Sequence, residues 1–425
     1  MIAIGLGIVL GVLSGLIPGV GKFILILMIW PLLGDFSVIE LLMMYVSMSA
    51  ISQYIGSLPA IVYGIPGEGS SYPAVVESKF LDTESKVSQA ISGSAFGSMF
   101  GGIIVVIFCY LLADYADSLK YFFSTKILVF LLLFVVFVMI FTMGNSKLGN
   151  IVMIVTGLTL GLIGNNSYLG IDFLTFGSSH MWAGLPMPVV LICLFAIPQI
   201  AYYLDDSIES GKAKTYEITK VYFLNPLWLL GSSIVGFFGG LVPGLSAVFS
   251  SAVAYGLSTL FTKNPVKRIV VSETANNAGA FSQILPLLIF GVPIIGSEAL
   301  LLFFMEQKGF SIHTFSFSDV IPTLALTLMF VNFIGFLLAW PFSKHVNLFY
   351  AIDTKKVMII LLICLIGVVV YTGYIKYSTL YYITVFLVLA PIGVMLRKVD
   401  TLPLVFAFQI HDKLLDGLYR FYQLL

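Results

Sequence analysis

The chain has 425 residues, of which 59% are hydrophobic and only 10% charged, with Lys+Arg and Asp+Glu balanced at 21 each and a mean hydropathy of +1.05. A water-soluble domain of this length needs far more charge to cover its surface, and a balanced charge with no basic block offers nothing to nucleic acid. No long hydrophilic stretch leaves room for a soluble catalytic domain, and Cys109, Cys193 and Cys364 lie inside apolar runs without disulfide or metal-ligand spacing.

A membrane-spanning helix needs about 20 predominantly apolar residues. In chain order the sequence opens with an apolar stretch over 1–33, broken in its middle by Pro18-Gly19. Spans are predicted over 41–66, 88–112, 123–142, 148–166 and 180–203. A polar linker over 204–223 follows. The stretch 224–262 is again long, apolar and broken, here by Pro243-Gly244. Further spans are predicted over 275–303, 318–341, 357–373, 379–396 and 401–425, the last interrupted by His411, Asp412 and Lys413. Proline interrupts the helix ladder and glycine permits a sharp turn, so both Pro-Gly pairs read as deliberate breaks.

The two halves echo one another. Gly11 to Gly19 aligns with Gly236 to Gly244, each ending in Pro-Gly. Leu58-Pro59, Gly64-Ile65-Pro66 and Gly69-Ser70 align with Leu285-Pro286, Gly291-Val292-Pro293 and Gly296-Ser297. A weaker set pairs Gly144, Lys147 and Gly164 with Gly373, Lys376 and Gly393. Ordered matches at nearly one offset argue for an internal duplication, with 1–203 as the first transmembrane repeat and 224–425 as the second. If each Pro-Gly stretch is a re-entrant hairpin that does not cross, each half has about five spans. An odd number inverts the second half relative to the first. In that arrangement Lys and Arg crowd the cytoplasmic loops, Lys79, Lys86, Lys263, Lys267, Arg268, Lys355 and Lys356 among them, as the positive-inside rule requires. Single broken spans are the alternative to hairpins. The fold expected is therefore all-α and polytopic, with two inverted repeats and a Pro-Gly-broken hairpin in each.

Broken helices at membrane depth are tolerated only where buried in protein or lining a wet cavity, and their paired occurrence points to a transporter's binding site. Three segments carry chemistry on this reading. Tyr63 to Ser71 joins Pro66, Gly67, Glu68, Ser70 and Ser71: freed amides and hydroxyls to grip a carboxylate, and a carboxylate to take a proton or cation. A plain cytoplasmic turn with Glu68 in water is the rival. Ser272 to Ala280 places Glu273, Asn276 and Asn277 among small residues before an apolar run. Amides offer donor and acceptor without the cost of burying a charge, and a helix cap from Ser272 or Asn276 is the rival. Lys22 follows the first Pro-Gly pair and either attracts an anion or snorkels to the interface. Glu298 is a further intramembrane carboxylate, a candidate proton or sodium site, and Pro293 is the helix break before it. Glycines at every fourth residue (Gly7, Gly11, Gly15; Gly93, Gly97, Gly101; Gly236, Gly240) read as packing seams. No hydrolase or nucleotide-binding motif is recognisable, so neither an enzyme nor a cofactor is expected.

These motifs resemble the large permease subunit of the tripartite tricarboxylate transporters, the TctA family. The resemblance rests on Gly15 to Gly19, Gly64 to Glu68, Gly93 to Gly102, Thr175-Phe176-Gly177, Leu194 to Ile197, Gly240 to Gly244, Glu273 to Ala278 and Pro286 to Pro293. It implies a secondary transporter of citrate-like or other small organic anions, coupled to a sodium or proton gradient, in a prokaryotic inner membrane. It also implies a small membrane subunit and an extracytoplasmic solute-binding protein as partners. The stretches Glu77 to Glu84 and Lys263 to Arg268 depart from the family pattern, as expected of a divergent, short member. A channel or a non-transporting component of a membrane complex is the alternative function, and a homo-oligomer is left open.

Overall fold

The computed structural model describes residues 1–425 except 18, 66, 123–124, 143–144, 167–170, 206–219, 242–245, 312–314, 351–352 and 424–425. The expected breaks at Pro18, Pro66, Pro243 and Gly244, and most of the linker, thus lie outside the described residues.

The first half begins with α1 (Ile2–Leu16) and α2 (Lys22–Met28), then a 3-10 turn over Trp30–Asp35 and α3 (Val38–Tyr63). A glycine seam fixes the direction of these helices. Gly7 lies against Met44 and Ser47, Gly11 against Met48 and Ile51, and Gly15 against Ser52 and Gly56. Rising numbers on both sides mean that α1 and α3 run parallel, so the chain has to reverse between Leu16 and Val38. Gly19, at φ 80° and against the Tyr203 ring, sits in that reversal. Helix α3 starts on a capping box: Ser37 N donates to Glu40 Oε2 at 2.9 Å and Glu40 N to Ser37 Oγ at 3.3 Å. It ends at Gly64, whose left-handed φ of 66° returns the Gly64 N–H to Ala60 O and the Ile65 N–H to Pro59 O. There follow α4 (Tyr72–Ser78), α5 (Glu84–Phe122), α6 (Thr125–Thr142) and α7 (Lys147–Leu162). A short antiparallel pair, β1 (Gly164–Asn166) with β2 (Ile171–Phe173), and α8 (Ser179–Trp182) come next. The half closes with α9 (Met187–Leu191) and α10 (Ile197–Asp205), joined without a break by a π turn over Ile192–Ala196.

The second half also opens with two short helices before a longer one. Helices α11 (Pro226–Gly240) and α12 (Ser246–Phe261) precede α13 (Pro265–Ser282) and α14 (Ile284–Phe290). Gly236 lies against Ala275 and Ala278, and Gly240 against Gly279 and Ser282, so α11 and α13 are parallel as α1 and α3 are. Gly291 ends α14 with φ 66°, returning N–H groups at 291 and 292 to Leu287 O and Pro286 O. Then come α15 (Gly296–Gln307), α16 (Phe317–Tyr350), α17 (Thr354–Ile375), α18 (Thr379–Met395) and α19 (Leu402–Gln423). Packing between the halves is reciprocal: α5 lies on α13, and α16 on α3.

Five helical segments among the described residues are long and apolar enough to cross a membrane: Val38–Tyr63, Glu84–Ala113, Met187–Asp205, Phe317–Lys344 and Thr354–Ile375. With shorter apolar helices around them and an apolar outer surface (Phe130, Leu260, Leu380), the chain is an all-α multi-pass membrane protein. Three expectations need correction. The stretch 275–303 is not one span: Gly291 and the extended Ile295 divide it into half-helices. The helix predicted to start at 275 starts earlier, and the rival cap at Ser272 or Asn276 is not formed: both lie within α13, whose cap is Asn264, accepting from Lys267 N at 3.3 Å. Helix α19 falls short of span-like hydropathy and is held by packing on α6 and α7.

A Cβ at Gly11 would come within 2.7 Å of Ile51 Cβ, whereas Gly231 has open space around it. Gly11→Val is therefore expected to lower stability by about 1–3 kcal/mol through overpacking. Gly231→Ala should leave it within about 0.5 kcal/mol. Thermal melting in detergent measures both.

Candidate functional site

The first break folds Glu68 inward. Its Oε2 accepts from Gln53 Nε2 at 2.7 Å and lies 3.5 Å from Lys22 Nζ, with both charged side chains nearly buried, at 13% and 11% exposure. Glu68 therefore does not sit in water, and Lys22 turns toward it rather than outward. Gly67 makes this possible, because a Cβ there would meet the backbone of Gly15 and Gly56. Ser70 and Ser71 are buried beside it. Ser70 Oγ donates to Gln53 Oε1 at 3.3 Å, and Ser251 Oγ, from α12, donates to Ser70 O at 2.7 Å. The first tip is thus gripped by its own half through Gln53 and by the other half through Ser251.

Helix α13 brings a second group. Glu273, Asn276 and Asn277 are all fully buried. Asn276 Nδ2 donates to Glu273 Oε2 at 3.1 Å, and Asn277 Nδ2 to Ser98 Oγ of α5 at 2.5 Å. Close approach of α5 through Gly97 and Gly101 against Thr274 permits that second bond. Helix α13 also packs on the turn over Gly69–Ser71 beside Glu68, which places the two groups in one region.

The second tip has a different chemistry. Glu298 Oε2 accepts from Ile294 N at 2.8 Å and Ile295 N at 3.3 Å, tying the extended segment to the start of α15. Ser297 Oγ shares a 3.0 Å hydrogen bond with Tyr45 OH of α3. Helix α2, which opens with Lys22, packs on α15, with Phe23 against Gly296. Lys22 and Tyr45 thus stand between the two tips. Pro293 lies in the extended segment of the second tip.

Beside the hydroxyls of Ser14, Ser49, Ser71 and Ser94 and the Gln409 amide, six buried oxygens lack a partner. Glu68 Oε1, Glu273 Oε1, Asn276 Oδ1, Asn277 Oδ1, Gln283 Oε1 and Glu298 Oε1 are buried without a hydrogen-bond partner. All are acceptors, where buried polar atoms are normally satisfied. Sequence reading missed Gln53, Tyr45, Ser98 and Gln283. A lone glutamine in the apolar helix α3 is itself a signal, because polar groups within membrane helices are costly. Ser98 falls inside the glycine seam, where only its partner from a distant helix reveals its use.

The family model for the tripartite tricarboxylate transporter TctA family matches residues 1–406. The chain belongs to this family. An uncharacterized 52.8 kDa protein from the TAR-I ttuC' 3' region of Agrobacterium vitis is 28% identical over 306 residues, 68% of this chain and 60% of that protein. The match therefore spans less than two thirds of that relative. An uncharacterized protein of Methanocaldococcus jannaschii is 22% identical over 401 residues, 93% of each chain. No solved structure matches the chain. The pair Lys22–Glu68 offers a direct check of the first tip. Lys22→Met and Glu68→Gln are each expected to destabilise the protein, while the double variant recovers part of the loss. The cycle should give a coupling of about 0.5–3 kcal/mol, read from melting in detergent.

Proposed function

We propose that this chain is the permease subunit of a secondary active transporter for small organic anions, di- or tricarboxylates, driven by a sodium gradient. The observation that carries this reading is the set of buried acceptor oxygens gathered around Glu68, Glu273, Asn276 and Asn277. A proton can satisfy a carboxylate oxygen, but it does not bind the amide oxygens of Asn276, Asn277 or Gln283. A hard cation takes oxygen ligands of every one of these kinds. Sodium therefore suits the site better than a proton. A bound cation beside Lys22 and the freed amides of the first tip supplies the positive field that a carboxylate solute needs.

The two halves are read as inverted repeats. Arg268, near the start of α13, pairs at 2.9 Å with Glu77, past the end of α3. Ser297, past the end of α14, bonds to Tyr45 near the start of α3. Helices α3 and α13 therefore run antiparallel, which supports inversion of 224–425 relative to 1–203. A membrane position for both tips between the repeats suits alternating access, in which one bundle moves against the other. The small membrane subunit and the solute-binding protein of a tripartite system are the partners expected on this reading, in a prokaryotic inner membrane.

Ligand binding to the folded state raises stability by mass action, by about 2.7 kcal/mol at about a hundred times Kd. Mono-, di- and tricarboxylates are screened by thermal shift in detergent, with and without sodium. The expected outcome is a shift with one carboxylate class that needs sodium and is lost in Asn277→Ala. A shift that persists without sodium and follows pH would reassign the coupling ion to a proton. No shift with any carboxylate would sink the proposed solute class. In proteoliposomes, saturable uptake driven by a sodium gradient separates this reading from a channel.

A further inference from the structure

Helices α5 and α13 pack in two adjacent rows. In the first, Gly93 lies against Val270, Gly97 against Thr274 and Gly101 against Ala278. In the second, Ser98 Oγ accepts from Asn277 Nδ2 at 2.5 Å, and Gly102 lies against the Phe281 ring. Numbers rise together along both rows, so the helices are parallel, and each row advances by four residues on both. Residues four apart stand one above the other on a helix face. One step earlier in the second row, at the same offset, are Ser94 on α5 and Glu273 on α13. The glycines of the first row remove the side chains that would hold these backbones apart.

The second row collects unpaired oxygens. Ser94 Oγ, Glu273 Oε1 and Asn277 Oδ1 are buried without a hydrogen-bond partner, on residues exposed by 2% for Ser94 and 0% for the other two. The remaining atoms of the two α13 side chains are fixed, Glu273 Oε2 by Asn276 Nδ2 at 3.1 Å and Asn277 Nδ2 by Ser98 Oγ. Ser98 Oγ keeps a second lone pair. Two steps of one row thus offer a carboxylate oxygen, an amide oxygen and two hydroxyl oxygens. Buried polar atoms are normally satisfied, and a hard cation takes oxygens of all these kinds. Charge decides the valence. Glu273 is the one carboxylate in the row, and Glu68 is already paired with Lys22. A monovalent ion cancels Glu273, whereas a divalent ion leaves a net buried positive charge, which is costly.

We propose that this row is a sodium site, in which Ser94 Oγ, Ser98 Oγ, Glu273 Oε1 and Asn277 Oδ1 hold the ion between α5 of the first half and α13 of the second. The proposal rests on the function proposed above for the coupling ion only, and it brings in Ser94 and Ser98 as ligands. Asn276 is a positioning residue, turning Glu273 so that Oε1 is left for the ion. An ion held here bridges the two halves at one seam.

Melting of the full chain in detergent tests this with sodium chloride alone as the ligand, choline chloride keeping the ionic strength constant. The wild-type protein is expected to melt higher as sodium rises. Ser94→Ala removes a hydroxyl that has no partner, so without sodium it is expected to melt no lower than wild type. With sodium it should need several-fold more ion for the same rise. Ser98→Ala is expected to weaken the ion several-fold, and Glu273→Gln to abolish the response, with Glu273→Asp as a milder variant should the glutamine fail to fold. Ser232→Ala, on α11, where Oγ bonds to Trp228 O, is expected to leave the sodium response unchanged. A merely structural Ser94 gives the opposite pattern, a lower melt with an unchanged sodium response, and that overturns the site. A wild-type protein that ignores sodium, or responds equally to calcium, overturns it too. A sodium-dependent carboxylate shift that Ser94→Ala and Ser98→Ala leave intact sinks this site and keeps the proposed function. A sodium response weakened in both variants, without any carboxylate shift, keeps the site and sinks the solute class.

Discussion

Backbone groups at bilayer depth have to be paired inside the protein, because hydrocarbon offers them no partner. The rest of this structure follows from how the chain meets that demand where its helices stop short. Gly64 and Gly291 adopt the same left-handed turn, and each sends two N–H groups back to the last carbonyls of its helix. The extended residues beyond are then served by side chains. At the second tip Glu298 accepts from two backbone amides. At the first tip Ser71 stands at the equivalent place, and the segment is held instead by Ser251 at its Ser70 carbonyl. One carboxylate is thus consumed in holding its tip, while Glu68 is left to face Gln53 and Lys22. Two tips with the same left-handed turn thus differ in their chemistry.

The glycine seams are the second requirement. Bringing α1 onto α3, α5 onto α13 and α11 onto α13 with backbone nearly touching backbone leaves no room for a side chain at Gly11, Gly97 or Gly236. That intimacy lets Gly67 fit between Gly15 and Gly56, and lets Ser98 reach Asn277. Small residues here position the polar groups as much as they pack the helices.

Much of this was legible along the sequence. The matched Gly64 and Gly291 segments, the glycine stripes and the apolar runs are local patterns, and local patterns carry periodicity and turn chemistry. Glu273, Asn276 and Asn277 were legible as polar residues in an apolar setting, but not as the middle of a helix. Small residues before an apolar run look like a helix start, and the true start at Asn264-Pro265 lies farther upstream. The run over 275–303 looked continuous because Gly291 and Pro293 are too brief to depress its hydropathy. What no local pattern encodes is contact across the chain. Lys22 and Glu68, Asn277 and Ser98, and Asp400 and Asn145, whose side-chain oxygen accepts from Asp400 N, meet only in the folded protein.

The parallel seam between α1 and α3 also bears on how the protein is made. The α1–α2 segment leaves the ribosome before α3, the surface that buries its glycine face. Until Gly7, Gly11 and Gly15 meet residues 44–56, the α1–α2 segment carries an interrupted backbone with no protein to pair it. The seam that holds α1 is therefore completed only once the later helix α3 has been made.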